Sequence, residues 1–566
     1  MICDDVAYRE DYVDYLIEYN GETETVLDIY KDTGCVNFID ERFAVLYRPK
    51  PDDYMESFSR LEYTLFPKLY GLMDTSSVEA VGAVNVQQEN ILGLTGKNII
   101  IGIIDTGIDI QNPLFQNAVG QTRILAAWDQ SVPGGEQTGE FPGYGTVYTG
   151  DEINEAIRNG TSVLQDENGH GTFLAGIAAG GKTDDFTGVA PEADFVIVKL
   201  KQAKQNLRGL YGVPEDVDAY QENDIMMGIK YLELLALRQG LPLVIYIGLG
   251  TNYGSHDGTS PLGLVLGNIG RLVGVSAVLP AGNEAGLRHH YMGRLLSGQE
   301  YDDVEVRVAS GERGFFLELW ATEPELYTVG FVSPTGEAIP RLPIGLGAEI
   351  TVPFTLEQTV ITINYRTSEI GSGSQFVLMR FDAPTAGIWH VRVYNSLFIT
   401  GIFHMWLPIQ GFIDEDTFFL RSDPDTTITE PANAAVPITV STYNHINNSI
   451  YIHSSRGYSR GGLIKPDLAA PGVNVYGPGL SPGGAGETFP MTRRTGSSVA
   501  AAHVAGAVAD LFTWGIVRGN NPAMSDASVR AYLIRGANRN PAYTYPNREW
   551  GYGTLDLYQT FLRIRE

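Results

Sequence analysis

The chain has 566 residues, 43% of them hydrophobic and 19% charged, a globular composition with material for roughly two to four domains. A formal net charge of -28 argues against binding nucleic acid or anionic membrane through bulk charge, and no basic run offsets it. Only Cys3 and Cys35 are present, which excludes a disulfide framework and leaves either a free pair or one local bridge.

The first residues, "MICDDVAYREDYVDYLIEYNGE", are acidic and lack a basic segment followed by an apolar run, so no secretory signal is expected. No apolar run reaches membrane-spanning length, and a soluble protein is expected. Residues 1–73 read as a small α+β unit. In it "YVDYLIEY" has helical spacing, whereas "TETVLDIYKD" and "CVNFIDERFAVLYRP" alternate as strands. The polar "DTSSVEAVG" then reads as a linker.

From residue 97 the texture is α/β. "KNIIIGIIDTG" is a continuous apolar run suited to a buried parallel strand, and "GTFLAGIAAG" a small-residue helix. "ADFVIVKLK", "PLVIYIGLG" and "GRLVGVSAVLPAGN" supply further strands, with the amphipathic helix "QENDIMMGIKYLELLALRQ" among them. Strands alternating with helices predict a parallel sheet covered on both faces. Between 297 and 415 the alternation stops, and short period-two segments such as "VEVRVAS", "FFLELWA" and "IWHVRVYN" indicate a β-sandwich or jelly roll. The helix-and-strand texture then returns, so the β unit reads as an insertion.

Three segments carry chemistry. "GIIDTGID" places Asp105 at the C-terminal end of a strand, where open α/β sheets put functional groups. "DENGHGTFLAGIAAG" places His170 at a helix start, and "RTGSSVAAAHVAGA" places Ser497 and Ser498 at another. A serine hydroxyl becomes a nucleophile when an imidazole takes its proton and a carboxylate holds that imidazole in the right tautomer. Taken singly, each residue has an ordinary reading as turn former, structural histidine or helix N-cap. His503, five residues past Ser498 in the same helix, is read as structural.

"DTG", "HGTxxAG" and "GSSxAxxHVAG" in that order resemble the subtilisin-type serine peptidases, the subtilases. "VLPAGNEAG" is similar to the family segment carrying the oxyanion-hole asparagine, here Asn283; "SSRGYSRGGLIKPDLAAPGV" and "EWGYGTLDLYQTF" resemble further family segments. The resemblance covers roughly 97–295 and 420–566. Laid on the family pattern of Gly, Thr, catalytic Ser, "GSSVA" makes Ser497 the stand-in for threonine and Ser498 the nucleophile. Val499 replaces the usual Met and Ala502 the usual Pro. These departures, with "VPEDVDAYQENDIMMGIKYL" and "GLGTNYGSHDG", are similar to the clostridial Csp germination proteases.

The resemblance implies a subtilisin-like parallel sheet flanked by helices, an α+β prodomain over 1–73, catalytic segments over 74–296 and 416–566, and an inserted jelly roll over 297–415. It implies acyl transfer by Asp105, His170 and Ser498, with the Asn283 side chain and the Ser498 N–H holding the oxyanion. Gly248, Leu249 and Gly250 are expected to bind substrate, Gly248 lacking the hydroxyl usual there, and Leu210–Glu222 to line the opposite edge. Self-cleavage is expected at Met73–Asp74, where "YGLM" puts an apolar residue before the cut and Tyr70 three residues upstream.

The implied partners are the cleaved prodomain, retained non-covalently, and a protein substrate, a cortex-lytic pro-enzyme of germinating spores; neither nucleic acid nor membrane is expected. The implied location is cytoplasmic or spore-associated. Many subtilases use calcium, and "GGKTDDF" offers Asp184 and Asp185, but paired acids in a polar loop read as solvated and no required metal or cofactor is expected. Trp320, Trp389 and Trp406 are expected to pack the core of the insert rather than to bind carbohydrate. Two alternatives stand beside this reading: a general intracellular subtilase, and a pseudoprotease-like binding protein whose triad is occluded.

Overall fold

The computed structural model describes residues 3, 6–20, 22–52, 54, 61–72, 79–88, 91–133, 141, 143–344, 349–481 and 489–564. The N-terminal unit is a three-stranded antiparallel sheet of β1 (Tyr12–Glu18), β2 (Cys35–Phe38) and β3 (Phe43–Pro49), in the order β1-β3-β2, with a helix at Thr23–Tyr30. Two of the expected elements are exchanged here. "YVDYLIEY" is the strand β1 and "TETVLDIYKD" holds the helix. β1 is covered on both faces: Val13, Tyr15 and Ile17 enter one core while Leu16 enters another. A doubly buried strand carries apolar residues at helix-like intervals, so its pattern is ambiguous. The helix buries Val26 and leaves Leu27 and Ile29 exposed, which left no helical stripe to read. Cys3 and Cys35, both buried, form a disulfide that ties residue 3 to β2.

The chain next forms β4 (Leu69–Leu72), described with the site below. The central sheet has nine strands. It contains β5 (Ile100–Asp105), β6 (Ile124–Asp129), β7 (Thr146–Thr149), β8 (Asp194–Lys199), β10 (Leu243–Ile247) and β12 (Val275–Pro280). Beyond β12 lie Ile438–Asn444, Ser449–Ile450 and Leu468–Pro471. Pairing runs Ile438–Asn444, β12, β10, β5, β8, β6, β7, parallel except for the two edges β7 and Ser449–Ile450. β5 is thus central and buried along its whole length, which explains its unbroken non-polar run up to Asp105. Two short strands, β9 (Tyr220–Gln221) and β11 (Leu249–Gly250), lie outside this sheet.

Two helices cross the middle of the molecule, His170–Ala179 and Ser497–Phe512, packed on each other and buried at every residue. Their alanines and glycines permit that approach; a Cβ on Gly506 would stand 2.5 Å from Ala178 O. The apolar stretch Ser497–Val517 is long enough to cross a membrane, but 89% of it is buried inside the fold. The insertion forms two antiparallel sheets, of six and five strands, around one apolar core. By strand pairing it runs from His290–Arg294, which pairs with Ile402–Trp406, to Phe418–Phe419, which pairs with Tyr301–Val308. Those limits are wider than 297–415 because the terminal strands are too short to display alternation. Trp389 is buried in this core, whereas Trp320 and Trp406 are buried where the insertion meets the N-terminal unit and catalytic sheet.

Buried polar contacts join the three parts. Asp14 on β1 forms an ion pair of 2.5 Å with Lys204 and accepts from Gln221 Nε2 at 3.0 Å. Lys68 Nζ donates to the carbonyls of Tyr63 and Phe66, while its backbone N–H reaches Glu222. Tyr63 donates to the carboxylate of Glu318, on the insertion, which also accepts from Trp320 Nε1 and Gly254 N.

Burial pushes the Glu318 carboxyl up to about 7 against the opposing hydrogen bonds and the charge of Lys68. An unfolded glutamate titrates near ~4.3, so between these values the folded protein binds the extra proton and loses stability as pH rises. Glu430, pushed by burial to about 8, extends the decline. The melting temperature should therefore fall from about pH 4.5 to pH 7. Glu318→Gln, neutral throughout, should make the fall between pH 4.5 and 7 shallower in scanning fluorimetry, leaving the part that Glu430 and Asp526, whose carboxyl burial pushes to about 7, contribute over the same range.

Candidate active site

Asp105 is the last residue of β5, and its Oδ1 accepts from Thr106 N at 2.8 Å and meets His170 Nδ1 at 2.8 Å. This bond holds the proton on Nδ1 and leaves Nε2 facing Ser498 Oγ at 3.2 Å. Residues 105, 170 and 498, far apart in the chain, are thereby brought together, each buried. Ser497 takes a different position. Its Oγ accepts from Gly282 N at 3.2 Å, and its N–H donates to Asn283 Oδ1 at 3.0 Å. With Oδ1 occupied, Asn283 presents Nδ2 as its donor end. The backbone of Ser498 is anchored in turn by Tyr246, whose hydroxyl donates to the Ser498 carbonyl. His503 Nδ1 lies 2.7 Å from the Val499 carbonyl one turn earlier, and burial pushes this imidazole down to about 3, so it is neutral and distant from the proton transfer.

Sequence reasoning missed the group that aligns the first two members. The buried carboxylate of Asp166 accepts from Gly169 N and Thr106 Oγ1 through Oδ1, at 2.8 and 2.7 Å. Its Oδ2 accepts from Thr172 N and Oγ1, at 2.8 and 2.7 Å. Asp166 therefore caps the helix that presents His170 and holds the residue following Asp105. The signal was present as an acid four residues before His170, ahead of a helix. Gly169, between them, adopts φ +80°, a left-handed conformation that accounts for the glycine, and it lies against Arg494 Nη2.

Gly248 serves a packing role as well. A Cβ on it would lie 2.8 Å from Asp105 Oδ2 and 3.1 Å from His170 Cε1. Asp105 Oδ2 is buried with no hydrogen-bond partner among the described residues, on the side where Gly248 lacks a hydroxyl. Leu249 and Gly250 form β11, and across from it stands β9.

Between β9 and β11 lies β4, antiparallel to both. Leu69 pairs with Gln221 and Tyr70 with Tyr220; Gly71 pairs with Gly250 and Leu72 with Leu249. The chain thus lays its own segment along the cleft as an added strand, with Tyr70 fully buried. Met73 and Asp74, the expected cleavage residues, lie outside the described residues. Beside the triad, a cavity of about 290 Å³ is lined by Thr106, Asn168, Lys199, Gln202, Asp218 and Tyr220 among others. Among the described residues no group of three or more His, Cys, Asp or Glu is placed to hold a metal.

A parallel sheet that presents Asp at a strand end, with His and Ser on two crossing helices and an asparagine beside the serine, carries the catalytic apparatus of a subtilisin-type serine peptidase. Residues 96–220 and 420–553 match the subtilase family. The structure of the Clostridium perfringens CspB protease aligns at 30% identity and a TM-score of 0.74, over 85% of this chain and 96% of that one. The chain belongs to the subtilase family. Fervidolysin from Fervidobacterium pennivorans shares the fold at 14% identity and a TM-score of 0.50, over 97% of this chain and 61% of that one. The major intracellular serine protease of Bacillus subtilis (strain 168) is 29% identical over 131 residues, which are 23% of this chain and 32% of the length of that relative.

Ser498→Ala should abolish labelling by a fluorophosphonate probe, while Ser497→Ala should retain it. Asn283→Ala should lower turnover by ~10²–10³, the usual cost of one oxyanion donor. Asp166→Ala should remove a helix cap worth about 0.5–2 kcal/mol and lower kcat with little change in KM, measured on a chromogenic peptide amide.

Proposed function

We propose that this chain is a serine endopeptidase that cleaves its own N-terminal unit after Met73 and keeps the product strand in its cleft. In the first half-reaction Ser498 attacks the scissile carbonyl as His170 takes its proton and Asp105 steadies the imidazolium. The oxyanion is held by Asn283 Nδ2 and the Ser498 N–H, and His170 then protonates the leaving amine. Water repeats the sequence on the acyl-enzyme.

The observation that carries this reading is the placement of β4. It reaches Leu72 beside Leu249, one residue short of the expected bond, and Gly248, next to Leu249, abuts Asp105 and His170. Retention is supported by the buried contacts Asp14–Lys204 and Tyr63–Glu318, which do not depend on an intact bond at 73–74. The further assignment, activation of a cortex-lytic pro-enzyme in germinating spores, rests on the likeness to the CspB protease. Cytoplasmic residence is supported by the likeness to the intracellular serine protease.

Intact-mass measurement of the purified protein tests the proposal: two fragments that co-elute, the second starting at Asp74, are expected. Ser498→Ala should yield a single full-length species. A wild-type protein that stays whole overturns self-cleavage. A second reading, an occluded triad that serves binding alone, is favoured by the burial of Asp105, His170 and Ser498 beneath the occupied cleft. It predicts no fluorophosphonate labelling of the processed protein.

A further inference from the structure

The strand β4 shows where residues before a cut lie, between β9 and β11. Residues after the cut must continue past the triad, where the His170 helix begins and the hairpin of Val475–Pro478 and Met491–Arg494 leads into Ser498. The last residue of that hairpin is Arg494, four positions before the nucleophile. Its Nη2 donates to the Asn168 carbonyl at 2.8 Å, and the guanidinium crowds Gly169, directly before His170. Asn168 is itself held by Asp218, through Nδ2 to Oδ2 at 2.9 Å, so the carbonyl that receives Arg494 is fixed. The guanidinium also stands over the edge of the Phe173 ring, 5.9 Å from its centroid. Arg494 is partly exposed.

Arg494 is thus a positioned cation that is still partly exposed. The protein carries a net charge of -28, so its overall field repels acidic peptides. A single positioned guanidinium reverses that preference locally, because its planar donors match a carboxylate bidentately. The chain's own sequence fits: the residue following Met73 is Asp74. We propose that Arg494 is the specificity-determining group for an acidic residue at the first position after the scissile bond, in self-cleavage and in substrate alike. The inference rests on the proposed self-cleavage and adds which residue must follow the cut. Arg494 acts on the leaving segment only. It therefore bears on formation of the acyl-enzyme and not on its hydrolysis.

Self-cleavage of the full chain supplies the test, followed by mass spectrometry during cell-free synthesis so that early time points are seen. Arg494→Glu and Asp74→Lys should each slow processing about tenfold, the effect of one charged contact of about 1.4 kcal/mol. The double variant, with the charges exchanged, should recover to within about threefold of wild type. Arg494→Lys, which keeps the charge without the planar fork, should fall between. A purely structural role for Arg494 predicts additive losses in the double variant, and equal rates for Asp74→Lys and wild type predict no recognition; either result overturns the inference. Wild-type protein that never cleaves, while Ser498 still labels with a fluorophosphonate, overturns the self-cleavage reading and this inference with it.

Discussion

Two-residue strands have almost no independent stability, and β9 and β11 are both of that length. What completes them is β4, whose backbone supplies the missing partners on both sides. The cleft is thus a sheet whose middle strand is β4: with β4 in place its edges are paired, and β9 and β11 alone would present unpaired N–H and C=O groups to any extended peptide. The same backbone geometry suits any extended peptide laid between β9 and β11. Register decides the outcome, since antiparallel pairing of Leu72 with Leu249 brings the chain to the triad at a defined residue.

Main-chain pairing of four residues would not by itself hold an N-terminal unit against exchange. The additional hold comes from groups rarely buried. Asp14, Lys204, Lys68, Glu222 and Glu318 are all nearly inaccessible, and each is paired or hydrogen-bonded across a junction between parts of the chain. Such groups contribute little net stability over apolar replacements, but removing one partner leaves a stranded charge and costs about 3–5 kcal/mol. They therefore penalise misregistered docking more than they strengthen the correct one. Burial pushes the Glu318 carboxyl up to about 7, so the junction it shares with Tyr63 and Trp320 weakens as pH rises.

The central sheet and the triad were legible because their residues answer to one constraint each. A strand buried on both faces must be apolar throughout, as β5 is, and a nucleophile needs its base and its orienting acid. The N-terminal unit was less legible because its residues answer to two. β1 satisfies two cores at once and carries Asp14 toward Lys204, so its apolar spacing mimics a helix. Asp166 escaped notice for a related reason: one carboxylate with four donors looks in sequence like any helix cap. The pairing of β4 with β9 and β11 joins segments about 150 and about 180 residues apart, and no local pattern announces it.

The insertion is placed where it can influence catalysis without interrupting the sheet. It leaves after β12 and returns at Ile438–Asn444, and these two strands are direct parallel neighbours, with Val278 opposite Ile438. It therefore occupies one crossover. Its departure point also lies just past Asn283. The next residue, Glu284, is buried and accepts from Asn252 Nδ2 and from Gln410 N, and it pairs with His289 at 2.6 Å. One carboxylate thus joins the segment of Asn283, the residues after β11 and the far end of the insertion. An oxyanion donor works by being oriented before charge develops, so a group that cannot relax is worth more than a mobile one. The β-sandwich therefore reaches the residue beside Asn283: Gln410 N donates to Glu284, while Asn283 Oδ1 accepts from the Ser497 N–H on the other side.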